Sequence, residues 1–359
     1  MRNRPYAAPC LSSIPPCEGR AQLFGIRLRT LCRGLLAVAF LGSVGCTSIQ
    51  VALGLKMRLD KVSVSAVTVR LFKGPGLAPG KSSRLVAVAT TADGKQLVTE
   101  GAGHGKVLWD SFDLEPTIAQ VIKKGVVTLP ADPRTSEGGM PHLRIRVKGH
   151  PEISAEIDIP VRYDANFVAN FSGADGATGS SGFDGTSGSD GADGSTDPKN
   201  PAPGGDGGDG SPGGDGGDGG PGEPGQHVHV WVRLKEGGQP LLQVRVASPG
   251  NERLYLVDPR GGTLLVKADG GRGGSGGPGG SGGVGGSGGS GSPSGSGGSR
   301  GADGAAGWSG GGGAAGTILV TMDPRAKPFL NVLLFSNKDG YGKPGPAPEI
   351  KEEPVSPLW

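Results

Sequence analysis

Apolar and polar residues alternate with a period of two through much of residues 51–164, as in Val67-Thr68-Val69-Arg70-Leu71 and Leu143-Arg144-Ile145-Arg146-Val147. Such alternation predicts half-buried β-strands, because successive side chains on a strand point to opposite faces. Further strand-like segments fall at 62–65, 85–89, 106–109, 125–129 and 155–161, with turns such as Ala92-Asp93-Gly94-Lys95 between them. About seven short strands in this span predict an immunoglobulin-like β-sandwich over residues 46–165, with Trp109 in its core. The alternation resumes at 227–234, 241–246, 253–257, 263–267, 317–322 and 329–335, predicting a second set of strands.

Between those strands the period changes from two to three. Glycine recurs at every third position in four runs, 173–194, 204–225, 270–291 and 295–316, each with eight in-phase glycines. Composition alone does not hold glycine in phase, so this is an internal repeat. Three residues per turn is the period of the polyproline II helix, and at about 3.1 Å per residue each run is roughly 74 Å long. That helix has no internal hydrogen bonds, and glycine loses more freedom on ordering than any other residue. Order therefore requires rods close enough to pair backbone N–H and C=O groups with one another.

Two arrangements meet that requirement: a collagen triple helix, or antiparallel polyglycine II helices folded within one chain. Run 1 holds no proline, and the connectors 195–203 and 292–294 read as turns between runs of matched length. Folding back into two long hairpins is favoured. Runs 2 and 3 follow Gly-Gly-X and so carry two bare flanks, whereas runs 1 and 4 are mostly Gly-X-X. The pattern predicts a four-rod bundle with runs 2 and 3 central, packed through Gly173, Gly176, Gly204, Gly207, Gly216, Gly273, Gly282, Gly295, Gly304 and their in-phase neighbours. Asp, Ser and Thr would cover the outside, and an Asp206→Ser change would be tolerated.

The triplet phase and hairpin layout over residues 173–316 resemble the polyglycine II bundles of snow-flea antifreeze protein and of some phage tail-fibre tip adhesins, and more loosely bacterial collagen-like surface proteins. The resemblance implies an architecture rather than an activity. The expected fold is thus mainly β: an immunoglobulin-like sandwich (46–165), then a β pedestal carrying a four-rod bundle of two long hairpins (166–336). Residues 337–359, rich in proline, glycine and charge, read as a disordered tail.

The N-terminus changes the picture of location. A basic stretch at 27–33, an apolar core at 34–41 and small residues up to Cys46 read as a signal peptide over 1–45. Ser43-Val44-Gly45-Cys46 resembles a bacterial lipobox, with Ser at the position that usually holds Leu; it implies lipidation of Cys46. The other cysteines, Cys10, Cys17 and Cys32, lie ahead of it, so a chain processed there keeps no disulfide. Thr47 after the cysteine agrees with outer-membrane sorting. An ordinary secretory cleavage nearby is the alternative.

Candidate chemistry is sparse. Gly-Gly-Asp repeats place Asp206, Asp209, Asp215 and Asp218 in a row that resembles a calcium nonapeptide, but Ser211 and Gly220 stand where that motif needs an apolar residue. A looser cation site or a solvated charged face are the readings left. His227 and His229 share one strand face, a spacing that suits two metal ligands or a surface pair. The glycine-rich segment 101–106 lacks phosphate-loop spacing, and no nucleophile elbow or zinc-protease motif occurs. Net charge is +3 with scattered cations, which predicts no nucleic-acid partner. The expectation is a non-enzymatic, cofactor-free envelope protein of structural or adhesive role, a monomeric bundle anchored in a membrane and contacting polysaccharide or another surface component. A collagen-type trimer and an ice- or cation-binding surface are the competing readings.

Overall fold

The computed structural model describes residues 46–359 apart from Lys123 and Glu236; the leader assigned to residues 1–45 lies outside the described residues. The chain is mainly β, and the described residues form sixteen strands and a few short helical turns. After a helix α1 (Cys46–Ala52), the first unit lays out β1 (Val64–Leu71), β2 (Ser82–Thr91), β3 (Gln96–Val98), β4 (Phe112–Pro116), β5 (Gln120–Ile122), β6 (Val126–Thr128), β7 (His142–Val147) and β8 (His150–Asp158). All pair antiparallel, one sheet running β1-β2-β6-β5 with β3 on β2, the other β4-β7-β8.

The alternation read in the sequence is realised as burial. On β7, Leu143, Ile145 and Val147 are buried and join Val67, Leu85, Val127 and Ile159 in one core shared by the two sheets. Trp109 is 2% exposed and packs on Phe112, with ring centroids 5.8 Å apart. Gly125 makes room for it. Its φ of +68° favours glycine, and a Cβ there would lie 2.1 Å from the indole ring. Residues 106–109, expected as a strand, instead make a bridge to Thr99 and end in a 3-10 turn at Trp109–Ser111, which tips the indole inward.

The second unit holds two more sheets around a separate core. Strands β9 (Asn166–Asn170), β13 (Thr263–Lys267) and β15 (Leu333–Ser336) form a parallel sheet, order β15-β13-β9. Opposite it lie β12 (Asn251–Val257), β11 (Leu242–Ser248), β10 (Val228–Leu234), β14 (Ile318–Met322) and β16 (Glu349–Glu352), in that order. Val230, Val244, Leu264, Val266 and Val320 are fully buried between them. The last expected strand starts late. Residues Pro324–Val332 are 3-10, opened by Asp323, whose carboxylate accepts the Arg325 N–H, and by Pro324, so β15 begins only at Leu333.

The segment 337–359, expected to be disordered, is ordered. β16 adds in parallel to the edge of β14. Val355 is buried and its N–H points to Asp323, while the Trp359 indole N–H donates to Glu137 of the first unit at 2.6 Å. Composition misled here because the tail gains order by pairing with an open strand edge rather than by burying an apolar face of its own.

Candidate functional site

The four glycine runs leave the second unit where its strands stop. β9 continues into run 1 and β13 into run 3; run 2 returns as β10 and run 4 as β14. The strand pairs set the register of the runs. Parallel β9 and β13 pair residues 97 apart, Asn166 with Thr263, and run 1 beside run 3 keeps that offset, Asp175 facing Arg272. Parallel β10 and β14 pair residues 90 apart, and so do runs 2 and 4.

Within the array every third amide is bonded to a neighbouring run. Run 1 glycines from Gly173 to Gly194 donate eight bonds to carbonyls of Asp269 and of run 3, at 2.6–2.9 Å. Run 2 donates from its first-phase glycines, Gly204 to Gly225, to run 4 and the turn ahead of it, and from its second phase to run 1. Run 3 donates from Gly271, Gly274 and onward to run 2, and run 4 from Gly295 to Gly316 to run 3 and Ala268. Among the described residues no backbone hydrogen bond joins run 1 to run 4, so runs 2 and 3 are the inner pair.

The glycines permit the approach by lacking a side chain. A Cβ at Gly173, Gly176, Gly204, Gly207, Gly216, Gly273, Gly282, Gly295 or Gly304 would sit 1.9–2.2 Å from a neighbour's carbonyl oxygen. None of the run glycines has a positive φ, so conformational freedom is not the reason for them. Run 3 needs both of its bare flanks: at Gly274 and Gly283 the second phase is as close, 2.0 and 1.9 Å. In run 2 the second phase is looser, 3.1 Å at Gly205 and Gly220, which is why Ser211 fits that phase.

The aspartates lie on the solvent-exposed outside, as the sequence predicts, and each is also tied into the array by one carboxylate oxygen. In run 2, Asp206, Asp209, Asp215 and Asp218 each accept a backbone N–H of run 4, from Ser296, Ser299, Ala305 and Trp308, at 2.6–2.7 Å. In run 1, Asp175, Asp184, Asp190 and Asp193 do the same for Arg272, Ser281, Ser287 and Ser290 of run 3. Pro278, which has no N–H to offer, stands at the offset where run 1 supplies Ser181 instead of Asp. This corrects the cation-site reading for the run 2 row. Carboxylates three residues apart on such a rod are about 9 Å apart, too far to share an ion, and each already has a backbone donor.

His227 and His229 are not brought together as ligands either. The His227 Nδ1 lies 2.7 Å from Thr317 Oγ1, and the His229 Nε2 lies 2.8 Å from Thr321 Oγ1. Burial, reinforced by Lys351 and Arg245, holds the His229 imidazole below its ordinary range, and its ring stacks on Trp231 at 3.7 Å. Among the described residues no group of three or more His, Cys, Asp or Glu could hold a metal.

Two other surfaces are chemically distinct. Phe183, Val284 and Trp308 stand off the glycine runs, 87%, 64% and 82% exposed among residues that are mostly small. At the junction of the two units lie clefts of about 600 and 690 Å³ that share Lys81; Arg84 and Lys73 line the first, where Arg162 is paired with Asp164. Among the described residues no helix is long and apolar enough to cross a membrane. A scan against protein-family models finds no match, and a search of curated proteins finds no relative.

Proposed function

We propose that this chain is a non-enzymatic, lipid-anchored cell-envelope protein whose glycine runs form a rigid four-rod polyglycine II bundle, carried outward on an immunoglobulin-type stem as a structural or adhesive module. The observation that carries the reading is the array of register-matched backbone bonds, one per triplet between adjacent runs, with glycine at each close approach. A flexible spacer has no need of either. The stem reading is supported by strand order: leaving out the short β3, β1-β2-β6-β5 and β4-β7-β8 match the ABED and CFG order of an immunoglobulin constant-type domain, with buried Trp109 just ahead of the third strand.

A stiff rod face of small residues that exposes isolated aromatics suits contact with a polysaccharide or a neighbouring surface. The backbones of Phe183 and Trp308 take part in the seams, but their side chains stand 87% and 82% exposed, which a partner explains better than folding does. Cys46 opens α1 at the start of the described chain and is the proposed lipid attachment point. The test is a pair of variants in the native host. Cys46→Ser should release the protein from the membrane fraction, and removing both hairpins should leave it anchored but abolish cell-surface attachment; attachment that survives hairpin removal would refute the adhesive role.

A further inference from the structure

The array contains the start of a fifth rod. β15 lies beside β13 with an offset of 69, opposite β9, and the chain continues past it just as β9 continues into run 1. Lys338 N–H donates to the Asp269 carboxylate at the same offset of 69, as Arg272 N–H does to Asp175. Gly270 N–H donates to Lys338 C=O, and Gly340 N–H to Gly313 C=O. Gly340 thus sits in the groove between runs 3 and 4, where a Cβ on it would lie 2.1 Å from Gly271 C=O. After this single triplet the chain leaves through a turn at 339–342, with Gly342 at φ +86°.

Beyond that turn the same groove is open. Gly273, Gly276 and Gly279 repeat the position of Gly270, yet their N–H groups have no acceptor among the described residues. At the next triplet the position is filled from within: Asp303 of run 4 accepts the Gly282 N–H at 2.7 Å, and Arg300 pairs with Asp303. Side chains of run 4 at the Asp303 phase therefore lean into this groove, and the residues at that phase beside Gly279, Gly276 and Gly273 are Ala306, Ser309 and Gly312. All three are small, and the Tyr341 ring flanks the groove at Gly312, 3.1 Å from where a Cβ there would lie.

We propose that this open fifth position, bounded by Gly340 and Asp303, binds one extended polypeptide strand with glycine at every third residue, running parallel to run 3. The occupant is a Gly-X-X segment of another chain, because the groove repeats the backbone donors that hold residues 338–340 and leaves space there for hydrogen alone. It is the polyproline II counterpart of adding a strand to an open sheet edge. The three donors lie roughly 19 Å apart from first to last, and an occupant of three triplets, about nine residues, is roughly 28 Å long at 3.1 Å per residue.

The inference rests on the bundle reading, and one experiment separates the two. Full-length protein labelled with ¹⁵N-glycine is titrated with the nine-residue peptide Gly-Ser-Ala repeated three times. Amide shifts concentrated on Gly273, Gly276 and Gly279 are expected, and none with the same peptide carrying alanine for glycine. In Ala306→Asp a new carboxylate would cap Gly279 N–H as Asp303 caps Gly282, and should weaken peptide binding by about tenfold or more without lowering the melting temperature. Dispersed, slowly exchanging run glycines with no peptide shift, or equal shifts from the alanine peptide, would overturn this proposal alone. Glycine resonances of a free coil would overturn the bundle itself. Dimerisation of the protein that Ala306→Asp abolishes would give the groove to a second copy and overturn the proposed occupant.

Discussion

Replacing Gly282 by alanine probes the packing of the runs at one of its tightest points. The new Cβ would lie 1.9 Å from Gly301 C=O and 2.8 Å from Ala302 C=O. Runs 3 and 4 can relieve that overlap only by separating, which stretches the two bonds flanking the site, Gly301 N–H to Gly283 C=O at 2.9 Å and Gly304 N–H to Gly280 C=O at 2.8 Å. Two backbone bonds at about 1 kcal/mol each, plus about 1–3 kcal/mol for overpacking, are offset by about 0.4–1 kcal/mol from the stiffer unfolded chain. The net loss is about 3 kcal/mol, or roughly 6–12 °C in the melting temperature of a unit this size. Gly297→Ala is the matched control. It has the same chemistry in the same run pair, but its Cβ would meet nothing nearer than 3.6 Å, so it should melt at the parent temperature or slightly above. Calorimetry on the two variants decides, and equal shifts would refute close packing as the reason for the glycine phase.

Removing the run 2 carboxylates together, with serine at 206, 209, 215 and 218, should lower the melting temperature by several degrees without changing mass, each cap contributing about 0.5–1 kcal/mol at an exposed site; no change would mean that water replaces them at no cost. Gly125→Ala should destabilise the first unit by about 2–4 kcal/mol, because it combines a positive φ with a clash against Trp109, and should leave run-glycine exchange unchanged. Phe183→Ser and Trp308→Ser should weaken surface attachment while melting at the parent temperature; unimpaired attachment would remove the aromatics from the contact. Burial would raise the Glu137 carboxyl, but Lys235 and the Trp359 indole outweigh it and hold the group below the usual range. A depressed carboxylate stabilises above its unfolded value, about 4.3, and that contribution is lost as pH falls through the folded value. Below about pH 4 the Trp359 fluorescence should therefore move toward that of Glu137→Gln, and identical curves for the two proteins at all pH would contradict it.

Much of the β content was legible because alternation reports the face a side chain takes, as Leu143, Ile145 and Val147 do on β7. The glycine phase was legible for a related reason: a bare flank is a property of one run and needs no knowledge of its partner. The role of each aspartate was not, since the N–H that Asp206 accepts lies 90 residues away and its offset is set by β10 and β14. The order of residues 337–359 was hidden similarly. Nothing local to Glu349–Glu352 announces a strand; the free edge of β14 supplies it. Lone histidines with suitable spacing suggested ligands, but Thr317 and Thr321, distant in sequence, engage them.

The most direct test is residue-resolved amide hydrogen exchange across residues 173–316. Stiff, mutually bonded rods predict protection with a period of three that changes phase between runs: Gly176, Gly179 and their series slow in run 1, but Gly274 and Gly277 slow in run 3 while Gly273 and Gly276 exchange freely. Uniform exchange at free-peptide rates through all four runs would contradict the account.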